Sequence, residues 1–215
     1  MKSAEIPYIA SLESLTSEQL QQVLRGQGVR LAVACNNWAA DYPYAPTVVA
    51  HLAYSDSHIA LLFDVEESHV KAVEMLSNGK VWEDSCVEFF IANPVGEGYY
   101  NFELNAIGTL LAAYRTSRES ATHFAEEQIA RVVRYGALVH APIDTRGEQN
   151  WWVAELIPFD LIGLNAPPKS LRANLYKCGD MLDQPHFLSW SPINLDKPNF
   201  HCPEFFGTMN FQSRE

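Results

Sequence analysis

VWEDSCVEFFI, residues 81–91, is the stretch that decides the fold, because it has the composition of a buried β-strand. Side chains alternate in direction along an extended strand, so this segment divides into two faces. The face predicted to point into a core carries Val87, Phe89 and Ile91. If the strand runs unbroken, the opposite face carries Trp82, Asp84, Cys86 and Glu88.

The second of these faces combines an aromatic ring with a carboxylate. An indole can stack on the C–H face of a sugar ring, and an acid on the same rigid surface can accept hydrogen bonds from hydroxyls. The alternative is a buried Trp82 beside a salt-bridged Glu88, since tryptophans are usually highly buried. These eleven residues leave both interpretations open.

Length and composition restrict the classes of protein. The chain has 215 residues, of which 47% are hydrophobic and 19% charged, which favours one large domain, residues 1–215, with residues 1–27 as an N-terminal extension holding a short helix. The net charge of −11 argues against binding nucleic acid or an anionic membrane. No apolar run approaches the roughly 20 residues of a membrane helix. No signal peptide is visible, so we expect a cytoplasmic protein, or an extracellular or periplasmic one if a signal was removed.

The pattern of short apolar segments between turn residues predicts an all-β protein. Helices are predicted only at 16–24, 67–76 and 117–127, and hairpin turns at 55–57, 107–108 and 144–150. Short strands without intervening helices favour an antiparallel β-sandwich with a few short helices. The strands are predicted at 29–35, 47–55, 58–65, 85–92, 99–105, 109–115, 129–135, 136–143, 151–157, 170–177 and 207–211.

The four cysteines do not predict a metal motif or a disulfide framework. Cys35, Cys86, Cys178 and Cys202 lack the CxxC spacing of zinc sites. Cys86 and Cys178 lie in apolar strand-like segments, where a free buried thiol is the expected state.

Two further strands carry polar faces. One predicted strand places Asn101 and Glu103 together, and another places Arg172 and Asn174 together. Such faces either line a polar concave surface or simply contact solvent. Glu88 and Glu103 could also lie on neighbouring strands, where a carboxylate pair would suit glycoside hydrolysis.

The segment 185–206 contains four prolines, which make it irregular, and many aromatic residues. Such a loop either covers the end of the core or builds one wall of a binding site. Trp190, Phe200 and His201 are the candidates for a wall.

Several blocks of the sequence resemble carbohydrate-binding module family 9. WEDSCVEFFI, beginning at Trp82, resembles the family's Trp/Tyr-x-x-Asp-x-Val-Glu-hydrophobic signature. YYNFELN at 99–105, the segment 151–159 and FHCPEFFG at 200–207 resemble blocks of family-9-like proteins from polysaccharide-degrading bacteria. In order, these blocks span residues 38–211.

The resemblance implies a β-sandwich that binds a mono- or oligosaccharide without cleaving it, at the reducing end of glucans or xylans, between two aromatic plates. Trp82 matches the first plate and Glu88 a hydrogen-bonding acid. The second plate is Trp190, Phe200 or Phe205, and the family's binding arginine is Arg115 or Arg172. No cofactor is expected, although some members hold structural calcium, whose ligands cannot be mapped here.

We therefore predict non-catalytic carbohydrate binding through Trp82, Glu88, Asn101, Glu103, Arg172, Asn174, Trp190, Phe200 and His201. The first alternative is a glycoside hydrolase or another carbohydrate-active enzyme. The second is a sandwich that binds a haem-type cofactor, with Met75, Met181 and several histidines as available axial ligands. The sequence identifies neither the sugar nor the oligomeric state.

Overall fold

The computed structural model describes residues 1–138 and 141–213, which form two stacked, mostly antiparallel β-sheets. In chain order the elements are β1 (Ser3–Ile6), α1 (Ser17–Gln27), β2 (Val29–Ala32), β3 (Cys35–Asn36), β4 (Thr47–Tyr54), β5 (His58–Ala72), β6 (Cys86–Ala92), β7 (Tyr99–Asn105), β8 (Leu110–Arg115), β9 (Ala121–His123), α2 (Glu126–Ile129), β10 (Val133–Gly136), β11 (Ile143–Pro158), β12 (Ser170–Cys178), β13 (Phe187–Ser189) and β14 (Gly207–Phe211).

The larger sheet, sheet I, has the strand order β1-β14-β12-β6-β7-β8-β9, and β13 joins it through β12 and pairs with β3. Sheet II has the order β10-β11-β5-β4-β2. All pairs of these strands are antiparallel except β1 with β14, which closes one edge of sheet I. The predicted antiparallel β-sandwich is confirmed.

The main core lies between the two sheets. Strand alternation sends Phe89 and Leu175 inward from sheet I, where they meet the inward side chains of sheet II, such as Phe63 and Val153. Phe89 and Leu175 are also direct cross-strand neighbours on β6 and β12. Complete burial of side chains of this size contributes roughly 2 kcal/mol each, so this layer stabilises both sheets together.

The N-terminal segment contributes to both sheets. Its first strand, β1, pairs with β14, and α1 covers the outer face of sheet II. The helix begins as the sequence predicts: Thr16 accepts a hydrogen bond from the backbone N–H of Gln19, whose side chain accepts one from the N–H of Thr16. Leu20 and Leu24 are buried against the sheet.

The outer face of sheet I has a second apolar layer, and this layer supports the candidate site. Phe90 and Tyr176 face outward from β6 and β12 and are covered by the irregular segment after β13. Tyr176 donates a hydrogen bond to the carbonyl of Phe200 at 3.1 Å, which fixes that segment to the sheet. The aromatic loop therefore packs on the sheet and also forms a wall above it.

The helix predicted at 67–76 is wrong, because β5 continues through Ala72. The long pairing of β5 with β11, which joins Ala72 to Ile143, stabilises the extended backbone. Glu67 lies inside the sandwich, where its carboxylate is 2.9 Å from the ammonium of Lys177. The charge of Glu67 is thus compatible with a buried position on β5, because Lys177 forms an ion pair with it.

Three other predictions of local structure need correction. The helix predicted at 117–127 is largely β9 and a loop, with the short α2 starting only at Glu126. The turn predicted at 144–150 lies inside β11, whose pairing is interrupted by a bulge near Gly147 at φ 98°. The strand predicted at 136–143 does not form in its described part, since β10 ends at Gly136, and its residues 139–140 lie outside the described residues. The turns at 55–57 and 107–108 are confirmed.

Candidate functional site

A cleft of about 540 Å³ lies on the outer face of sheet I. Its floor comes from β6, β7 and the end of β12, and its walls come from the turn before β6 and from the loop after β13. It is lined by Tyr42, Trp82, Glu88, Glu103, Arg115, Arg118, Cys178, Asp180, Phe187, Lys197, Pro198, Asn199, Phe200 and His201.

Trp82 lies at the cleft, but not on a strand. Residues Val81–Glu83 form a 3-10 turn, and β6 begins only at Cys86, so the unbroken strand considered above is wrong. The buried Asp84 carboxylate accepts hydrogen bonds from the backbone N–H groups of Val73 and Glu74 at 3.0 and 2.9 Å, and this fixes the turn. The indole is half-buried, which leaves part of its surface facing the cleft.

Aromatic side chains form a second apolar surface of the cleft. The Phe200 ring stacks on Tyr176 with centroids 4.2 Å apart and planes 7° apart. The half-buried Phe187 meets Tyr42 edge-on at 4.8 Å. Trp38 packs behind both phenylalanines and donates a hydrogen bond to the carbonyl of Leu195. The wall is therefore rigid, because each ring is supported by another ring.

Two buried acids form the floor. Glu88 and Glu103 are direct cross-strand neighbours on β6 and β7, and each side chain is 3% exposed. Burial raises the pKa of both carboxyls, and the Glu103 charge raises the pKa of Glu88 further. Among the described residues, no basic side chain lies within 4.0 Å of either carboxylate. The floor thus holds two hydrogen-bonding acids that no ion pair within the described part of the chain keeps ionised.

Arg115 is the nearest compensating charge, and it is held at a fixed position. Its Nε donates to Asn101 Oδ1 at 3.0 Å, and Asn101 Nδ2 donates to Glu103 Oε1 at 2.7 Å. Its Nη1 also donates to the carbonyl of Arg118 at 2.6 Å. Asn101 therefore orients both Arg115 and Glu103 from below the cleft, although it does not itself line the cleft.

His201 lies at the cleft wall as a neutral imidazole. Its Nδ1 is 2.9 Å from the hydroxyl of Tyr99. Burial, with a smaller effect from Arg115 and Arg118, lowers the pKa of His201 to about 3. A neutral ring bonded at one nitrogen can offer the other nitrogen to a hydroxyl.

The nine predicted site residues divide into two groups. Those that line the cleft are Trp82, Glu88, Glu103, Phe200 and His201. The others do not line it, and they are Asn101, Arg172, Asn174 and Trp190. The binding roles of all nine stay predictions.

Arg172, Asn174 and Trp190 have structural partners that account for their placement. Arg172 donates to the carbonyls of Pro203, Glu204 and Phe206. Asn174 is fully buried and bonds the backbone of Ser191 at 2.8 and 3.0 Å. Trp190 is buried in the main core. All three hold the aromatic loop against sheet I, so any effect on a ligand would be indirect.

Several lining residues were not predicted from the sequence. Tyr42, Arg118, Asp180 and Asn199 lie on turns and loops, where no periodic pattern indicates the direction of a side chain. Phe187 begins β13, which is only three residues long and too short to show a periodic pattern. Arg115, which the resemblance offered as a candidate binding arginine, lines the cleft. The aromatic content of 185–206 was the only sequence signal for Phe187.

Other predicted features are also located. The methionines considered as haem ligands, Met75 and Met181, are 55% and 61% exposed, and the cleft lining does not include them. All four cysteines are free thiols, as predicted. Among the described residues, no helix is long and apolar enough to span a membrane.

Comparison with known proteins places this geometry in a family. A search of curated protein sequences returns no match. Among solved structures, a carbohydrate-binding module family 9 protein from Caldicellulosiruptor kristjanssonii shares the fold. Its complex with glucose has a TM-score of 0.60 and 12% sequence identity, over 100% of this chain and 97% of that chain. Its complex with cellotriose has a TM-score of 0.61 and 12% sequence identity, over 100% of this chain and 95% of that chain.

A proposed carbohydrate-binding protein from Bacteroides uniformis is more similar, with a TM-score of 0.93 and 37% sequence identity over 98% of this chain and 99% of that chain. The family model for carbohydrate-binding family 9 matches residues 18–211, which include every strand of both β-sheets except the edge strand β1, and every residue that lines the cleft. The chain therefore belongs to carbohydrate-binding family 9.

Proposed function

We propose that this chain binds a mono- or oligosaccharide in the cleft without cleaving it. The observation that carries the proposal is the combination of aromatic surfaces and buried carboxyls around one cavity of about 540 Å³. A sugar ring has apolar C–H faces and a rim of hydroxyls, so it requires both kinds of contact at once. The family membership of the chain supports the same ligand class.

The aromatic residues would supply contact area. Trp82 would stack on one face of the sugar, and Phe187 with Phe200 would form the second apolar surface. The pre-formed stack of Phe200 on Tyr176 means that little side-chain entropy is lost when a ligand binds.

The polar residues would determine the orientation of the sugar. Glu88 and Glu103 accept hydrogen bonds from hydroxyls, Arg115 donates, and His201 can do either. Burial strengthens each of these bonds, because water competes for them less effectively. Contact with a terminal sugar unit is favoured by the closed floor of β6 and β7, which agrees with the reducing-end binding implied by the family resemblance.

The first test is calorimetric titration of the full chain with glucose, cellotriose and xylotriose, since glucose and cellotriose are the ligands in the complexes of the related modules. We expect saturable binding of at least one sugar. Reduction of cellotriose to its alditol should weaken binding if the reducing end is recognised. Absence of binding to all three, confirmed by an unchanged tryptophan fluorescence spectrum, would contradict the proposal for these sugar classes.

We also propose that sugar binding needs no cofactor or metal. Each polar group assigned above is a protein side chain. Dialysis against EDTA should leave the dissociation constant unchanged. A loss of binding that is restored by calcium would instead indicate a structural calcium site.

Glycoside hydrolysis is a second candidate because Glu88 and Glu103 are adjacent in register inside the cleft. Hydrolases place two carboxyls on either side of the scissile bond, and one of them must be ionised. Here both acids lie on one floor and both have raised pKa values, which favours binding over cleavage. Prolonged incubation with cello- and xylo-oligosaccharides should release no product. Release that disappears in Glu88→Gln and in Glu103→Gln would establish the enzyme.

A further inference from the structure

Beneath the cleft, three side chains of metal-binding type converge. Cys86 and Glu88 face outward from β6, and Cys178 lies directly opposite Cys86 on β12. All three residues are buried, and their ligand atoms lie within 4.8 Å of one another. Paired strands hold all three positions, so the cluster belongs to the rigid part of the fold.

The spacing of these atoms suits a tetrahedral cation. Cys178 Sγ is 3.1 Å from Glu88 Oε1. Zinc–sulfur bonds of about 2.3 Å and zinc–oxygen bonds of about 2.0 Å put neighbouring ligand atoms roughly 3.5–3.8 Å apart in a tetrahedron. The three ligand atoms are at most 4.8 Å apart, and the Cys178–Glu88 pair is 3.1 Å apart, so their separations are close to those of a tetrahedral site. Rotation of the side chains is therefore enough to bring the three ligands to a metal, and the strands need not move.

The chemistry of the ligands selects a class of metal. Two sulfurs and one carboxylate oxygen are softer than the all-oxygen sets that calcium and magnesium prefer. Glu88 and Cys178 also line the cleft, so a fourth ligand can approach from that side. Asp180, two residues after Cys178, lines the same cleft.

Glu88 has no cation partner in the part of the chain that the structure describes. Glu88 and Glu103 are buried side by side, and among the residues at 1–138 and 141–213 no cation lies within 4.0 Å of either carboxyl group. Buried carboxylates are normally paired or bound to metals. The neighbouring Arg115 bonds to Asn101 instead, so a divalent cation can bind Glu88 without breaking an existing ion pair.

We propose that Cys86, Glu88 and Cys178 bind one thiophilic divalent cation of the zinc class at the floor of the cleft. Binding releases the two thiol protons and the carboxyl proton of Glu88 to solvent, and the metal remains divalent, so no oxidant or reductant is needed. The metal site stands independently of the proposed sugar binding. If both are correct, the cation competes with the sugar for Glu88, and sugar affinity decreases as zinc is added.

The test is titration of reduced, chelator-treated full-length protein with Co²⁺, followed by competition with Zn²⁺. We expect one equivalent of Co²⁺ to produce a near-ultraviolet thiolate-to-cobalt charge-transfer band, which Zn²⁺ then removes. Cys86→Ser and Cys178→Ser should each weaken binding by more than the ~10–100-fold typical of losing an outer-shell partner. Cys35→Ser is the matched control, because Cys35 bonds the carbonyl of Trp190 outside the cluster and should leave the band unchanged.

A second measurement does not depend on the variants folding. Because Cys86 and Cys178 are buried, the wild-type protein is alkylated in urea just below its unfolding midpoint, where transient opening exposes both thiols. Under these conditions Zn²⁺ should protect Cys86 and Cys178 from alkylation, as identified by peptide mapping, while the half-buried Cys35 keeps its reactivity. The proposal is overturned if no charge-transfer band forms, if both serine variants bind Co²⁺ like the wild type, or if Zn²⁺ protects neither thiol. A Cys86–Cys178 disulfide in untreated protein, with no metal uptake after reduction, would also overturn it. Sugar titration of metal-free protein distinguishes these outcomes from failure of the proposed function.

Discussion

The two outer faces of the sandwich treat their acids in opposite ways. On sheet I, Glu88 and Glu103 lie side by side without an ion pair to any described residue, and burial raises the pKa of both. On sheet II, burial would also raise the pKa of Asp64, but hydrogen bonds from His51 and Arg25 lower it to about 2. Arg25 bonds this carboxylate through two nitrogens, at 2.6 and 3.0 Å.

The difference indicates which face is built for a ligand. Sheet II also has a groove with a half-buried tryptophan, Trp152, next to Asp64, but there the acid is already paired within the protein. The cleft on sheet I leaves its acids available to an external group. A carboxyl without a partner in the free protein gains one when a ligand binds. It therefore stabilises the complex with the ligand more than it stabilises the free protein.

The largest effect is expected from Trp82→Ala. Loss of the half-exposed indole removes a rigid stacking surface, and we expect sugar binding to fall below detection, a cost of about 3 kcal/mol or more as for a binding hot spot. Calorimetry measures the affinity, and circular dichroism checks that the fold is intact.

Trp152→Ala is the matched control for this comparison, because Trp152 is a half-buried tryptophan beside an acid on the other face. Its loss should leave sugar affinity unchanged. If both variants bind equally well, or if only Trp152→Ala loses binding, the assignment of the ligand to the sheet I face is wrong.

The next effect concerns a buried acid of sheet II. Glu155 on β11 is buried, and among the described residues its Oε2 has no hydrogen-bond partner. Burial raises the pKa of Glu155 to about 8. The folded state therefore binds this proton more tightly than the unfolded state does, so the contribution is complete below pH ~4.5 and is lost as pH rises through 8.

Glutamine does not ionise, so Glu155→Gln should not lose stability through this position as pH rises. We expect its free energy of unfolding at pH 8.5 to exceed that of the wild type by about 2–3 kcal/mol. Urea unfolding at pH 5, 7 and 8.5 measures the slope. An identical pH dependence in both proteins would show that Glu155 finds a partner that the structure lacks.

A smaller effect with two opposite signs is expected from Glu88→Gln. Replacing the carboxyl with an amide changes the hydrogen bonds that this position offers to the sugar and should weaken sugar binding by ~1–2 kcal/mol, about tenfold. Because the pKa of Glu88 is raised, the carboxyl destabilises the fold when it ionises, so the variant should be more thermally stable above pH 5. Glu66→Gln, at an exposed acid of the sheet II groove, should change neither property. If Glu88→Gln is less stable than the wild type at neutral pH, the folded protein stabilises the Glu88 carboxylate, and this prediction is wrong.

The smallest effect is expected at the ion pair of sheet II. Arg25→Ala should destabilise the fold by only about 1 kcal/mol, because the pair is partly exposed to solvent. In the wild type, the lowered pKa of Asp64 means that its contribution is complete above pH ~4 and is lost as pH falls through 2. The variant should lose this acid-range dependence, which NMR titration of the Asp64 carboxyl measures. An unchanged titration midpoint would assign the low pKa to His51 alone.

Several site residues could be predicted from the sequence, and others could not. Glu88 and Glu103 follow from strand alternation, because a regular strand fixes which residues share a face. Trp82 was found through its motif although β6 begins only after it, since the 3-10 turn still directs the ring to the cleft. Asp180 was not predicted because side chains of turns follow no periodicity, and Phe187 was not predicted because a strand of three residues is too short to show one.

The sequence by itself determined the class of fold and the family. Apolar alternation and turn residues specify strands, and strands without helices leave a sandwich as the means of burying both sheets. The motif around Trp82 and Glu88 was sufficient to indicate carbohydrate-binding family 9, to which the chain belongs. These properties are local or additive along the chain, so they can be read without knowing which strands pair.

Only the tertiary structure decided which polar groups are compensated and which remain open. Asp64 and Glu88 are both acids on strands, and nothing in their neighbouring sequence predicts that one meets Arg25 while the other meets Cys178. Their partners are 39 and 90 positions away in sequence. The pKa of a carboxyl depends on distances of a few ångströms between such segments. The packing of α1 on sheet II brings Arg25 to Asp64, and the pairing of β6 with β12 brings Cys178 to Glu88.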